Sequence, residues 1–150
     1  MCHRERDPFL IFQKVERNLS DHGVELRGNR ILVAVSAGPD SMFLMHFLNW
    51  LRPRVCLDLI VGHIEHGMRP RDDPLETSFL RDAASSLGLT LSVARVDPSI
   101  LNKRGSLEER LREERYRLLK GMAREFKCGL IALGHQMDDQ AETLLMRLLR

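Results

Sequence analysis

A short segment of small and polar residues, 36–41 (SAGPDS), contains the residue types that could bind an anion. It follows the apolar run 31–35 and leads into a helical pattern, with Gly38 at the cap and Pro39 at the first helical position. A helix start of this kind presents free N–H groups and the positive end of the helix dipole. We therefore predict a phosphate-binding loop, with an ordinary strand-to-helix turn as the alternative.

The same loop argues against three other kinds of site. It lacks the Lys of a GxxxxGKS motif and contains neither GxGxxG nor GxSxG, which disfavours a Walker loop, a dinucleotide fingerprint and a nucleophile elbow. The donors for a phosphate would then be backbone N–H groups and the hydroxyls of Ser36 and Ser41. Asp40, in the first helical turn, either stabilises the helix dipole or binds a cation.

A second polar segment, 134–143 (GHQMDDQAET), follows the apolar run 129–133 and leads into another helical pattern. Asp139 and Glu142 are three residues apart, so they share one face of the predicted first turn. Two carboxylates beside a phosphate can hold Mg²⁺, which prefers carboxylate and phosphate oxygens. The alternative is that these acidic residues only stabilise the start of a helix, where they are common.

One arginine lies on the apolar stripe of a long predicted helix, 107–126. Ser106 and Glu109 have the spacing of a capping box at its start. Arg115 then falls in the middle of a stripe formed by Leu107, Leu111, Leu118 and Met122. A guanidinium there needs an anionic partner or must extend past the apolar side chains to water. We favour a role in a site, because its forked donors suit phosphate oxygens.

Two histidines follow the second apolar run, in the segment 63–66 (HIEH). Their spacing is not that of HExxH, so a metal site is disfavoured and an ordinary polar loop over 63–73 is expected. Because the loop follows a strand, it is still a candidate wall of a binding pocket.

Strands and helices alternate along the chain. The predicted strands are 31–35, 55–61, 89–96 and 129–133, and the predicted helices are 8–21, 39–51, 74–87, 107–126 and 138–150. This order predicts an α/β fold, a doubly wound parallel sheet with helices on both faces. The binding site of such a sheet lies at the carboxyl ends of its strands.

Composition fits one globular domain over residues 1–150, with 43% hydrophobic and 29% charged residues. A net charge of +2 gives no general attraction to a polyanion, so any RNA contact must be a local patch. Three scattered cysteines and the lack of a signal peptide or membrane-length apolar run predict a cytoplasmic protein. The last helical pattern has no stop signal at Arg150, which predicts a piece of a longer protein.

Four segments, in this order, resemble one family. SAGPDS at 36–41 resembles the SGGxDS pyrophosphate loop of the N-type ATP pyrophosphatases, or PP-loop family, and HIEHGMR at 63–69 resembles the loop after that family's second strand. The segments 106–116 (SLEERLREERY) and 134–150 (GHQMDDQAETLLMRLLR) resemble the tRNA(Ile)-lysidine synthetases in particular. The resemblance covers residues 30–150 and implies an adenine nucleotide alpha hydrolase-like fold.

The resemblance also implies an ATP-dependent ligase. Such an enzyme adenylates the C2 oxygen of the wobble cytidine of tRNA(Ile), and free L-lysine then displaces AMP to form lysidine. By this resemblance, ATP is bound by Ser36, Ala37, Gly38, Pro39, Asp40, Ser41 and His63. The implied catalytic residues are Asp40, Arg115, His135, Asp139 and Glu142. Mg²⁺ would be held by Asp40, Asp139 or Glu142.

The chain departs from the family pattern in two ways. Ala37 replaces the first Gly of SGG, and an alanine would be strained if that position requires a positive φ. The chain also stops where the family continues into domains that grip tRNA, so those domains are expected to be missing. A homodimer is left open.

Two other functions are left open by the sequence. One is a tRNA thiolase of the same loop family, although such enzymes commonly use cysteine chemistry and no cysteine pair is present. The other is a nucleotide-binding module without turnover, which both departures would favour.

Overall fold

The computed structural model of the chain describes residues 8–69, 71–102, 104–137 and 140–147, and describes only the backbone of Pro8, 135–137 and 140–147. Four helices, five strands and a short 3-10 helix lie within these residues. In chain order they are α1 Pro8–Asp21, β1 Arg30–Ala34, α2 Pro39–Val55, β2 Asp58–Glu65, α3 Asp73–Ser86, β3 Thr90–Arg95, the 3-10 helix Pro98–Asn102, α4 Leu107–Glu125, β4 Leu130–Met137 and β5 Gln140–Arg147.

The strands form one sheet in the order β3-β2-β1-β4-β5. Strands β1 to β4 are parallel, and β5 runs antiparallel to β4. A helix lies in each connection between parallel strands, as such crossovers require. From β1 the chain moves outward to β2 and β3 and then returns to the other side of β1 as β4. The strand order therefore switches between β1 and β4, which is where sheets of this kind bind ligands.

Apolar layers cover both faces of the sheet, which confirms the predicted doubly wound α/β fold. On one face, Ile31 and Val33 of β1 pack in a layer with Phe47 of α2. On the other face, Leu32 packs in a layer with Leu119 of α4. Successive residues of a strand point to opposite faces, so a strand covered on both sides is apolar throughout. This explains the unbroken apolar run of β1.

Helix α1 packs on α2 through an aromatic cluster. The Phe12 ring centroid lies 5.4 Å from that of Phe43, 5.6 Å from that of Phe47 and 5.4 Å from that of Trp50. Contacts of this geometry between rings stabilise by about 0.5–1.5 kcal/mol beyond the area they bury. The cluster holds α1 against the same face of the sheet as α2.

Strand β2 lies later in the chain than predicted, at 58–65 instead of 55–61. Helix α2 continues through Pro53 to Val55, which delays the start of the strand. The strand then continues through His63 and Glu65, which were expected in a loop. His63 Nδ1 and a Glu65 carboxylate oxygen both have hydrogen-bond partners within the protein, which helps the strand to contain these polar side chains.

The prediction for the end of the chain was wrong in its secondary structure. A helix was expected from residue 138, but 140–147 form strand β5, and β4 extends to Met137 instead of ending at Leu133. Beyond Leu133, β4 has no partner in β1, and β5 supplies antiparallel pairing along its whole length. An edge strand with unpaired N–H and C=O groups gains hydrogen bonds from such a neighbour. Short apolar runs do not distinguish a strand from a helix.

Candidate functional site

The segment after β1 turns sharply into α2 at the switch point of the sheet. Val35 is still held to β2, because its N–H donates to the Gly62 carbonyl at 2.9 Å. Gly38 is the cap of α2, with φ −75° and ψ 156°, no side chain caps the helix start, and Pro39 is in the first turn. The first N–H groups of a helix have no partner within it. The segment therefore has the free donors and dipole end that the sequence predicts.

Ser41 shapes this loop from within. Its side chain is buried, and its Oγ accepts a hydrogen bond from the Ser36 N–H at 3.1 Å and donates one to the Gly38 carbonyl at 3.0 Å. The Ser36 Oγ lies 3.4 Å from the Ser41 Oγ. One backbone donor of the predicted phosphate loop and the Ser41 hydroxyl proton are thus used inside the loop. Ser41 fixes the loop's shape, and Ser36 is the exposed serine of the loop.

Ala37 has a positive φ, the condition under which an alanine at this position was expected to be strained. Its φ is 56°, in the left-handed region. For a residue with a Cβ, this conformation costs about 1–2 kcal/mol. The methyl group packs against the apolar layer on the α2 face, which offsets part of that cost. The loop therefore keeps a glycine-like backbone without glycine.

Gly134 of β4 lies directly against the first turn of α2. A Cβ built on Gly134 would be 3.3 Å from the carbonyl carbon and oxygen of Asp40 and from the Ser41 nitrogen. Contacts of that length are tighter than nine in ten real Cβ contacts, so a side chain here would press on the loop. Sequence reasoning did not single out this residue. The signal that could have found it is a glycine at the predicted end of a strand beside a small-residue loop.

A cavity of about 40 Å³ lies at the carboxyl ends of β1, β2 and β4, with α4 on one side. Its wall includes Ser36, Ser41, Gly134, His66 and Arg115. Helix α4 begins as predicted, since the Ser106 Oγ accepts a hydrogen bond from the Glu109 N–H at 3.5 Å. Its geometry then carries Arg115 from the apolar stripe to the same cavity as the loop.

Burial changes the two basic side chains in this cavity. It lowers the pKa of the Arg115 guanidinium, which nevertheless stays charged because arginine titrates far above neutral pH. The pKa of His66, which is half-buried, is lowered first by burial and then by the positive charge of Arg115. A charged fork donor and a largely neutral imidazole thus line one small space. Sequence reasoning gave His66 only a place in a possible pocket wall.

His63 has a different position from the one expected for an ATP-binding residue. It is 3% exposed and does not line the cavity, because it alternates along β2 with the residues that do. Its Nδ1 lies 2.9 Å from the Val35 carbonyl oxygen. A carbonyl only accepts, so Nδ1 donates this hydrogen bond, and Nε2 is buried and without a partner among the described residues. The ring therefore anchors the residue from which the loop begins.

Glu65 at the end of β2 is occupied by structural contacts. Thr77 Oγ1 donates to one carboxylate oxygen at 2.7 Å, and Arg95 donates to the other at 2.9 and 2.6 Å. The hydrogen bond from Thr77 lowers the pKa of Glu65 most, and those from Arg95 lower it further.

Across the part of the chain that the structure describes, no group of three His, Cys, Asp or Glu side chains is arranged to hold a metal.

The second predicted segment is described only in part. His135 and Glu142 lie opposite each other in the register of β4 and β5, which is a statement about their backbones. Their side chains, and the whole of Asp139, lie outside the described residues. Their roles therefore stay predictions.

No helix within the described ranges has both the length and the apolar character that crossing a membrane requires.

Comparison with known proteins agrees with this geometry. A family model described as the PP-loop domain matches residues 11–150. The tRNA(Ile)-lysidine synthase of Symbiobacterium thermophilum is 39% identical over 141 residues, which cover 93% of this chain and 29% of that protein. The enzyme of the same name from Dehalococcoides mccartyi is 32% identical over 143 residues, covering 94% and 30%. The chain thus spans about three-tenths of the length of these relatives.

The fold is also that of a solved structure of low sequence identity. The U34-tRNA thiolase NcsA from Methanococcus maripaludis superposes with a TM-score of 0.74 at 16% identity, over 88% of this chain and 47% of that one. At this identity the likeness concerns the fold alone. The family model extends over nearly the whole chain, including the loop and the helix that line the cavity. The chain belongs to the PP-loop domain family.

Proposed function

We propose that this chain is the ATP-binding catalytic part of a tRNA(Ile)-lysidine synthetase, a ligase that modifies tRNA(Ile) with free L-lysine. The names of the relatives and the family model support a tRNA-modifying enzyme that uses ATP. The observation that carries the proposal is that Arg115 of α4 and the serines of the loop line one cavity. A helix start, hydroxyls and a guanidinium are together suited to the phosphates of a nucleotide.

The proposed reaction has two steps. The C2 oxygen of the wobble cytidine attacks the α-phosphorus of ATP, a C–O–P linkage forms, and the bond to pyrophosphate breaks. The ε-amine of lysine then attacks C2, the C2–O bond breaks, AMP leaves, and the amine loses a proton. Both steps move negative charge onto phosphate oxygens that leave. The free N–H groups at the start of α2 and the Arg115 guanidinium would stabilise that charge.

The cavity itself holds only about one or two water molecules at 40 Å³, which is far less than a nucleotide needs. We therefore place only phosphate oxygens in it, with the ribose and the base over the strand ends. Ser36 and the backbone from Ala37 to Ser41, including Gly38 and Pro39, would form the floor of that site. His63 would act by anchoring Val35, which differs from the direct contact implied by the family resemblance.

A magnesium ion is part of the proposal. Asp40 is in the first turn of α2, next to the loop, and its carboxylate is of the kind that Mg²⁺ binds together with phosphate oxygens. We propose Asp40 as a ligand, with Asp139 or Glu142 as the second, and His135 beside them in a catalytic role. When bound, the ion would neutralise phosphate charge. A cytoplasmic location is also part of the proposal, and a homodimer stays open.

A thiolase is the second candidate, because the fold neighbour is one and its structure carries a 4Fe-4S cluster. Iron–sulfur clusters are held by cysteine thiolates. Cys56 follows α2 and Cys128 precedes β4, so both lie at the amino edge of the parallel strands, away from the cavity. Burial raises the pKa of Cys128 to about 11, which keeps it a thiol. These positions favour the ligase; Cys2 lies outside the described residues.

The test is AMP release from ATP by the chain, with tRNA(Ile) and lysine added separately and together. We expect release that requires both substrates, and about a hundredfold loss in Asp40→Asn, the size of effect of removing one charge-stabilising group. Asp82→Asn, an exposed position on α3, is the matched control and should behave as the unchanged chain.

Three outcomes separate the candidates. AMP release that needs neither lysine nor tRNA(Ile) would contradict the ligase. Loss of activity when all three cysteines are replaced by serine would favour the thiolase. Calorimetric binding of ATP with Mg²⁺ but no AMP release would indicate a nucleotide-binding module without turnover.

A further inference from the structure

His66 is a feature of the cavity that the proposed function has not used. It follows β2 and lines the same small space as Arg115, Ser36 and Ser41. We propose that His66 is a phosphate-contacting residue of the nucleotide site, and that its imidazole takes up a proton when the nucleotide binds. The proposal rests on the proposed function only in taking ATP as the ligand.

The strand geometry explains why His66 and not His63 reaches the cavity. Residues Gly62, Ile64 and His66 alternate along β2 and its end, and all three line the space beside α4. Gly62 itself has no space for a side chain, because a Cβ on it would be 3.1 Å from Leu32 Cδ1. The imidazole thus approaches the cavity from β2 while the Arg115 guanidinium approaches from α4.

The charges around His66 favour the neutral ring in the free protein. Burial and Arg115 act against protonation, and His63 on β2 adds to this. Asp73 and Glu76 of α3 act in the opposite direction, but Asp73 already accepts a hydrogen bond from the Gly67 N–H at 2.9 Å. Together these groups lower the pKa of His66 below its ordinary value of 6.5. Near neutral pH the free site therefore has one charged donor and one imidazole that can gain a proton.

A phosphate in the cavity reverses this balance. A negative charge within a few ångströms favours the protonated ring, so the pKa of His66 is higher in the complex than in the free protein. Binding then takes up a proton, and affinity is higher below the pKa of the complex and falls as pH rises through it. The protonated ring would donate a charge-assisted hydrogen bond to a phosphate oxygen. This bond is worth about tenfold in affinity.

Calorimetric titration with ATP–Mg²⁺ and with inorganic pyrophosphate at pH 6, 7 and 8 tests the proposal. Each titration is run in two buffers of different ionisation heat, which reports protons taken up. The unchanged chain should lose about tenfold more affinity between pH 6 and 8 than His66→Gln does. His46→Gln, an exposed position on α2, should keep the pH dependence of the unchanged chain. Titration of the ligand's own phosphates is common to all three proteins.

Each outcome is decisive. Equal proton uptake and equal pH dependence in His66→Gln would overturn the proposal, and so would a chain that binds neither ligand. Binding with His66-dependent proton uptake, but without lysine-dependent AMP release, would support this site in a chain that has no turnover by itself. If His66→Gln does not fold, the pKa of His66 is measured by NMR in the unchanged chain. No rise on adding pyrophosphate would then sink the idea.

Discussion

The two central strands, β1 and β4, end at the same edge of the sheet in different ways. After Ala34, the chain turns into α2 within four residues, and hydrogen bonds from Ser41 close the turn from inside. Strand β4 instead runs past Leu133, where its pairing with β1 stops, and continues as a ladder with β5. One end is a compact loop with its own internal bonds, and the other depends on a neighbouring strand.

The difference shows where local sequence decides structure and where it does not. Gly38 and Pro39 specify a helix start through their own backbone preferences, so the turn after β1 needs little from the rest of the chain. The segment after β4 has apolar residues that suit either a helix or a strand. Its conformation is decided by which partner is available for its backbone groups.

The largest effect on AMP release is expected from replacing Arg115, which lies on α4 and lines the cavity at the end of β1. Arg115→Gln should lower AMP release by about 10²–10³-fold, because it removes a fixed positive charge from a partly buried site. Lys120→Gln removes an exposed charge from the same helix and should leave the rate unchanged. Single-turnover kinetics would measure both. An equal loss in the two variants would mean that general charge, and not the cavity, matters.

A smaller effect is expected where the two strand ends touch. Gly134→Ala should weaken ATP binding by about tenfold, because its Cβ would displace the peptide between Asp40 and Ser41 by a few tenths of an ångström. Gly121→Ala on α4 is the control, since its Cβ would meet nothing within 4 Å, and it should stabilise the helix by about 1 kcal/mol. Calorimetry and urea unfolding give the two quantities. Unchanged affinity in Gly134→Ala would show that the two ends are independent.

The smallest effect is expected on the free energy of unfolding, from a change to the backbone at Ala37 in the loop after β1. Ala37→Gly should relieve about 1–2 kcal/mol of left-handed strain and lose about 0.5–1 kcal/mol to the greater freedom of the unfolded chain and to lost packing. The free energy of unfolding should therefore rise by between 0 and about 1.5 kcal/mol, with about 0.8 kcal/mol at the middle of these ranges, as measured by urea titration. A clear fall would mean that the packing of the methyl group outweighs the strain.

Much of the fold follows from periodicity. The apolar runs that became β1, β3 and β4 and the amphipathic stretch of α4 are determined by which faces must be buried. The position of Arg115 at the cavity also follows, because helical geometry fixes the face of α4 on which it lies. The predicted boundaries of β2 were less accurate, because His63 and Glu65 depend on hydrogen-bond partners that are distant in the chain, Val35 and Arg95.

The parts of the site that sequence reasoning missed depend on long-range contacts. Gly134 matters because of the α2 turn that lies against it, and His66 matters because α4 brings Arg115 to the same space. Neither partner is near in sequence. The hydrogen bond of the Ser41 hydroxyl to the Gly38 carbonyl was also not foreseen, because it depends on how the loop folds back on itself.

The contact at Gly134 joins main chain to main chain without a side chain between them. Side chains can rotate and absorb small movements, whereas two backbones at contact distance move together. A shift of β4 toward α2 should therefore also displace the first turn of α2. A molecule that binds and displaces β4 would therefore also move the loop 36–41, where we propose that phosphates bind.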